Sequence, residues 1–193
     1  MKKVLILGAG LVSRPHVNYL LAQKDFLVTV ASRTVSKAEK LVADHPRGTP
    51  VELNFKDDDM LDKLVSEHDL AVSLLPYTYH VKVAKLCIKH AKHMVTTSYV
   101  SDAMRELDAQ AREADVLLLN EIGVDPGIDH MSAMRVIDGV KEKNGRIVSF
   151  KSFCGGLPAP EANTNPWDTN FHGVRAVLSW RERTQLSGLK MAR

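Results

Sequence analysis

Short apolar runs alternate along this chain with longer stretches in which apolar residues recur every three or four positions. Val4–Leu7 and Leu70–Leu75 are apolar nearly throughout, the pattern of parallel strands covered on both faces. Leu27–Ala31, His93–Thr96 and Val116–Leu119 read as further strands. Between them, Val17, Leu20 and Leu21 share one helical face, and Ser36–Leu41 opens a second helix. Asp57, Asp58 and Asp59 are natural caps ahead of Leu61, Leu64 and Val65. Val81, Ala84, Cys87 and Ala91 form another stripe, and Ser101 is placed to cap a helix running to about Ala114. Strands and helices alternating at this spacing predict an α/β fold, a Rossmann-type doubly wound parallel sheet.

The alternation ends near residue 122. Pro126-Gly127 makes a turn, and Asp129 is expected to cap a helix whose apolar face is Met131, Met134, Ile137 and Val140. Arg146–Phe153 reads as a strand leading into Cys154-Gly-Gly-Leu-Pro-Ala-Pro-Glu161. Adjacent glycines there let backbone approach a ligand closely, and the prolines hold the exit extended. From about Trp167 the pattern is lost, and Arg181–Lys190 is polar with no clear period. The expected organisation is therefore residues 1–122, 123–166, and a disordered or poorly packed tail, 167–193.

Composition narrows the function classes. With 193 residues, the chain is long enough for one sizeable core or a domain plus part of another. A net charge of +3 is too small and scattered to argue for nucleic acid, and Lys82–Lys92 fits a solvated helix face. No apolar run approaches the ~20 residues of a membrane span, and the N-terminal run is too short for a signal peptide. Two distant cysteines, Cys87 and Cys154, give neither a disulfide framework nor a metal site, which places the protein in the cytoplasm by default. His80, His90 and His93 match no common zinc spacing, so no metal is expected.

The first strand leads through Gly8-Ala9-Gly10 into a helix, where a dinucleotide pyrophosphate would meet backbone N–H groups and the helix N-terminus. The usual third glycine is replaced by Ser13. The second strand ends in Ser32-Arg33-Thr34, without the carboxylate that bonds an NAD ribose. A guanidinium flanked by hydroxyls suits the 2′-phosphate of NADP, although Arg33 also reads as a surface residue opening a helix. Pro76-Tyr77-Thr78-Tyr79 and Thr96-Thr97-Ser98-Tyr99 follow the next two strands, where ligands bind such sheets. Asp125 is either a site residue or a structural turn residue, and Cys154 either a functional group or a small buried thiol.

Five segments together resemble the saccharopine reductases, the NADP-dependent, glutamate-forming saccharopine dehydrogenases. They are Gly8-Ala-Gly-Leu-Val-Ser-Arg-Pro15, Ser73-Leu-Leu-Pro-Tyr-Thr-Tyr-His80, Val95-Thr-Thr-Ser-Tyr99, Asn120–His130 and Cys154–Glu161. The resemblance implies an NADP-binding domain over 1–122 and the start of an α+β substrate and dimerisation domain over 123–166. It implies reduction by NADPH of the imine of aminoadipate semialdehyde and glutamate to saccharopine, or the reverse, in lysine metabolism. A homodimer is left open for the full-length enzyme. Leu11, Val12, Ser13 and Arg14 would line the pyrophosphate, and Ser32, Arg33 and Thr34 the 2′-phosphate. Asn54 and Phe55 would flank the adenine. Leu75, Thr97, Val124, Asp125 and Pro126 would face the nicotinamide end. Ser98, Tyr99, Asp125 and Gly155 would contact substrate, with Tyr99, Asp125 and Cys154 as the acid–base candidates. A relative acting on another amine, and an NADP-binding module without catalysis, are the competing readings.

After Asn165-Pro166 members of this family usually read Leu-Gly-Tyr-Lys-Phe-Ser-Trp-Ser-Pro-Arg-Gly-Val, whereas this chain reads Trp167-Asp-Thr-Asn-Phe-His-Gly-Val-Arg-Ala-Val177. Loss of one nucleotide near codon 167 converts the first reading into the second, so a frame change is expected there, leaving a truncated, inactive chain.

Overall fold

The computed structural model describes residues 1–153 and residue 161. Six strands form one parallel sheet: β1 (Lys2–Leu7), β2 (Phe26–Ser32), β3 (Gly48–Glu52), β4 (Leu70–Ser73), β5 (His93–Thr96) and β6 (Leu118–Leu119). Their order is β3-β2-β1-β4-β5-β6, the doubly wound arrangement with its reversal between β1 and β4. The helices are α1 (Ser13–Ala22), α2 (Val35–Val42), α3 (Asp58–Ser66), α4 (His80–Lys89), α5 (Asp102–Arg105), α6 (Asp108–Glu113) and α7 (Ile128–Glu142).

The two faces of the sheet follow from alternation along β1. Val4 and Ile6 pack with Val17, Leu20 and Leu21 of α1 and Ala38, Leu41 and Val42 of α2. Leu5 and Leu7 point the other way, among Leu61, Leu64 and Val65 of α3 and Val83, Ala84 and Cys87 of α4. A strand buried on both sides must be apolar at every position, which explains the unbroken run Val4–Leu7. Each fully buried leucine contributes about 2–3 kcal/mol of transfer free energy.

Local signals explain the helix ends. Asp57 Oδ1 accepts the Met60 N–H at 3.0 Å, and Ser101 Oγ accepts the Met104 N–H at 3.2 Å. Each satisfies a backbone donor that the first turn leaves over. The helix expected from Ser101 to Ala114 is divided into α5 and α6. The buried stripe of α4 is His80, Val83, Ala84 and Cys87, because Ala91 lies past the helix end at φ +51°.

Two expectations fail. Asp129 is not the α7 cap: Gly127 is, and Asp129 lies in the first turn, where Oδ1 accepts the Gly127 N–H at 2.7 Å. Arg146–Phe153 forms no strand, since no other strand pairs with it among the described residues, and Val148 and Phe153 are exposed. A lone strand leaves its backbone groups without a ladder. Met1–Val148 forms one compact unit. Ser149–Phe153, in a second unit, is exposed and irregular.

Candidate nucleotide and substrate site

The strand register brings the candidate residues to one edge. Val51 pairs with Ala31, Ala31 with Leu7, Leu7 with Ser73, and Ser73 with Thr96. The loops that follow all leave from this row, at the carboxyl ends of the strands, where open parallel sheets bind ligands.

At the reversal point, Gly8 has φ +117°, and a Cβ there would lie 3.0 Å from the Leu74 carbonyl oxygen. Only glycine fits both conditions. Ser13, which stands in place of the motif's usual third glycine, is fully buried; its hydroxyl donates to the Gly8 carbonyl at 3.3 Å and accepts the Gly10 N–H at 3.0 Å. Ser13 thus braces the turn from within. Leu11 and Val12 are exposed, and their N–H groups make no hydrogen bond among the described residues. The first turn of α1 holds no acidic residue and carries the exposed Arg14. Unused N–H donors, a helix N-terminus and a cation fit a pyrophosphate.

The end of β2 continues this surface. Ser32 is buried and its Oγ accepts the Thr34 N–H at 3.2 Å, shaping the turn into α2. Arg33 and Thr34 are exposed, and Arg33 has no ion pair among the described residues. An exposed, unpaired guanidinium over a hydroxyl-rich turn fits a ribose 2′-phosphate. Of the two residues expected beside the adenine, Asn54 is at the surface, with Oδ1 accepting the Lys56 N–H at 3.1 Å. Phe55 is buried in the core, its ring centroid 6.1 Å from that of Tyr79.

The ends of β4, β5 and β6 differ in kind. Leu75 and Pro126 are buried, whereas Thr97 and Val124 are exposed. The Tyr99 hydroxyl donates to Asp125 Oδ1 at 3.1 Å, joining two acid–base candidates that lie 26 positions apart. The loop holding Asp125 is fastened to β5: the Ile122 N–H donates to the Thr96 carbonyl, and the Glu121 N–H to the Ser98 carbonyl, at 3.2 and 3.1 Å. The peptide bond between Asp125 and Pro126 is cis.

Beneath them lies a group that sequence patterns miss. His80 is buried, with Nδ1 2.9 Å from Ser73 Oγ and Nε2 2.8 Å from Ser98 Oγ and 3.2 Å from Thr96 Oγ1. Burial pushes its pKa down to about 4, so the ring is neutral near pH 7. Cys87 is an inert core thiol, pushed up to about 12 by burial. A cavity of about 930 Å³ lies against α5, α6 and β6, lined among others by His93, Val100, Met104, Arg112, Leu117 and Asn120. Among the described residues no group of three or more His, Cys, Asp or Glu side chains is placed to hold a metal ion. Nor is any helix there long and apolar enough to cross a membrane. Cys154, Gly155 and the tail from Trp167 lie outside the described residues.

The sheet order and the glycine turn at its reversal define a Rossmann-type dinucleotide-binding domain. The model of the saccharopine dehydrogenase NADP binding domain matches residues 4–119, and that of the saccharopine dehydrogenase C-terminal domain matches 123–187. The chain belongs to the saccharopine dehydrogenase family. It is 47% identical over 190 residues to saccharopine dehydrogenase (NADP(+), L-glutamate-forming) of Schizosaccharomyces pombe, covering 98% of this chain and 41% of the relative. It is 44% identical over 180 residues to the alpha-aminoadipic semialdehyde synthase, mitochondrial, of Bos taurus, covering 93% of this chain and 19% of the relative. The apo saccharopine dehydrogenase (L-Glu forming) of Saccharomyces cerevisiae superposes with a TM-score of 0.76 at 44% identity, over 89% of this chain and 38% of that one. The chain thus spans about 41% of the length of its fungal relatives. NADP, read from Ser32-Arg33-Thr34, agrees with the family's NADP-binding domain. The C-terminal match continues to residue 187, past the point where a frame change was expected.

Proposed function

We propose that this chain is the nucleotide-binding part of an enzyme that joins aminoadipate semialdehyde and glutamate as an imine and reduces it to saccharopine, or runs the reverse. The observation that carries the reading is the Tyr99–Asp125 pair at 3.1 Å, beside Ser98 and on the same sheet edge as the phosphate-binding turn. Imine chemistry needs proton transfers at a fixed point, and a phenol donating to a carboxylate holds one there. NADPH, when bound, supplies the hydride. Leu11, Val12 and Arg14 would hold its pyrophosphate, Arg33 and Thr34 its 2′-phosphate, and Thr97 and Val124 would border the nicotinamide. Ser98 would contact substrate, joined by Gly155 and Cys154 from outside the described residues. The cytoplasm remains the proposed location, on cysteine usage; some relatives are mitochondrial by name.

The share of the relatives' length covered supports a second reading for the isolated chain, an NADP-binding module without turnover. Fluorescence titration with NADPH and NADH, run beside a saccharopine-dependent NADP reduction assay, separates them. NADPH is expected to bind at least tenfold tighter than NADH, with no turnover by the 193-residue chain. Equal affinities would remove the NADP reading, and measured turnover would remove the module. The frame change near codon 167 remains a proposal; sequencing the gene across that codon decides it, and an unbroken native frame would sink it.

A further inference from the structure

The hydrogen bonds around His80 favour one arrangement of the cluster's protons. The Thr96 hydroxyl donates to the Ser73 carbonyl at 2.9 Å, which uses its one proton. Toward His80 Nε2, 3.2 Å away, Thr96 Oγ1 is therefore left to accept. A neutral imidazole carries a single N–H, and placing that proton on Nε2 satisfies the Thr96 oxygen. Nδ1 is then an acceptor, and the fully buried Ser73 hydroxyl donates to it across 2.9 Å. The Nε2 proton reaches Ser98 Oγ at 2.8 Å, closer than Thr96. Ser98 accepts from beneath, so its own proton is directed away from His80. Ser98 is half-buried and adjoins Tyr99, whose hydroxyl reaches Asp125.

We propose that His80 is a positioning residue: clamped as the Nε2–H tautomer by Ser73, it makes Ser98 a hydrogen-bond donor toward a carboxylate oxygen of the bound amino acid. His80 does not touch substrate. It removes the freedom of the Ser98 hydroxyl to turn its proton inward, and a donor fixed before binding loses less entropy on meeting an anion. The same fixed donor disfavours a cationic ammonium at that point, so the cluster helps set which end of an amino-acid substrate lies there. This rests on the substrate reading above.

The test begins without ligand. Long-range ¹⁵N–¹H NMR of the 193-residue chain should show one histidine with Nε2 protonated and Nδ1 bare, its signal lost in His80→Gln. Ser73→Ala, which removes a hydroxyl without altering the ring, assigns the same signal if His80→Gln fails to fold. The opposite tautomer overturns the proposal whatever the chain binds. With NADP present, added saccharopine should then shift the His80 Nε2–H signal in the wild type but not in Ser98→Ala; no shift in the wild type counts against Ser98 as the carboxylate donor. His80→Met, which keeps bulk but has no N–H, is expected to weaken saccharopine binding about 10- to 100-fold, the loss of one hydrogen bond to a charged group. His80→Gln, with a terminal amide N–H, should recover most of that, while NADPH affinity stays within about twofold in both. Equal loss in the Gln and Met variants would mean a packing role only and would overturn the proposal. Failure of the NADPH preference with the tautomer intact would count against the functional reading alone.

Discussion

The two halves of the sheet's ligand-binding edge are built on opposite plans. Around β1 and β2, polar groups are left open: the N–H groups of Leu11 and Val12 and the guanidinium of Arg33 have no hydrogen-bond or ion-pair partner among the described residues. Around β4, β5 and β6, polar groups already bond one another: Ser73 to His80, His80 to Ser98 and Thr96, Tyr99 to Asp125. Open donors suit an anion that arrives with its own acceptors, and they work with any phosphate in reach. A prearranged network fixes which group donates and which accepts, which suits discrimination among small substrates. The first half therefore resembles many dinucleotide sites, and the second carries what is particular to this chain.

The contrast breaks most visibly at the glycine turn. Gly8→Ala places a Cβ 3.0 Å from the Leu74 carbonyl at φ +117°, so chemical denaturation should register a loss of about 3 kcal/mol or more, with NADPH binding lost alongside. Gly10→Ala meets nothing nearer than Ser13 Oγ at 4.0 Å. Its stability should stay within about 0.5 kcal/mol of wild type while NADPH affinity falls, because the added methyl faces a ligand rather than the protein. Equal damage from both would mean that Gly10 serves the fold and that the turn is not a phosphate site.

The network half should be the acid-sensitive one. His80 in the folded chain titrates at about 4, against about 6.5 when unfolded, so between those values the unfolded state binds the extra proton. Stability is full above pH 6.5 and falls as the pH drops toward 4, by up to about 3 kcal/mol from this residue. His68, pushed down by burial, adds loss in the same direction. Urea unfolding at pH 7, 6 and 5 measures the slope, and His80→Gln should flatten it. An unchanged slope in that variant would place the acid sensitivity elsewhere.

The sequence revealed the open half more completely than the bonded half, for a physical reason. Strands, the glycine turn and caps such as Asp57 are local, written in periodicity and in residues a few positions apart. Ser13, Ser32 and Arg33 are legible as a set because turn and helix start are contiguous. The His80 cluster joins residues 73, 80, 96 and 98, which meet only because Ser73 pairs with Thr96 across β4 and β5. No periodicity reports a register between strands, so His80 stood out only as a histidine outside any zinc spacing, and its partners remained hidden. Phe55 is of the same kind: the turn after β3 directs its ring into the core against Tyr79, a contact between residues 24 positions apart. The run Ile147–Phe153 has strand composition, yet a strand also requires a neighbour, which composition does not reveal.

Arg33 offers the smallest and most selective change. It is exposed and lacks an ion pair among the described residues, so Arg33→Ala should leave stability within about 0.5 kcal/mol of wild type. A guanidinium bonding a phosphate through two hydrogen bonds contributes about 1.5–3 kcal/mol, so NADPH affinity should fall roughly tenfold or more. NADH lacks that phosphate and should bind nearly unchanged, collapsing the preference between the two cofactors. Arg33→Lys keeps the charge but not the fork, and should fall between wild type and alanine. A lysine variant as selective as arginine would show that charge alone sets the preference. An alanine variant that still favours NADPH would move the 2′-phosphate site away from the end of β2 and leave Arg33 as a surface residue opening α2.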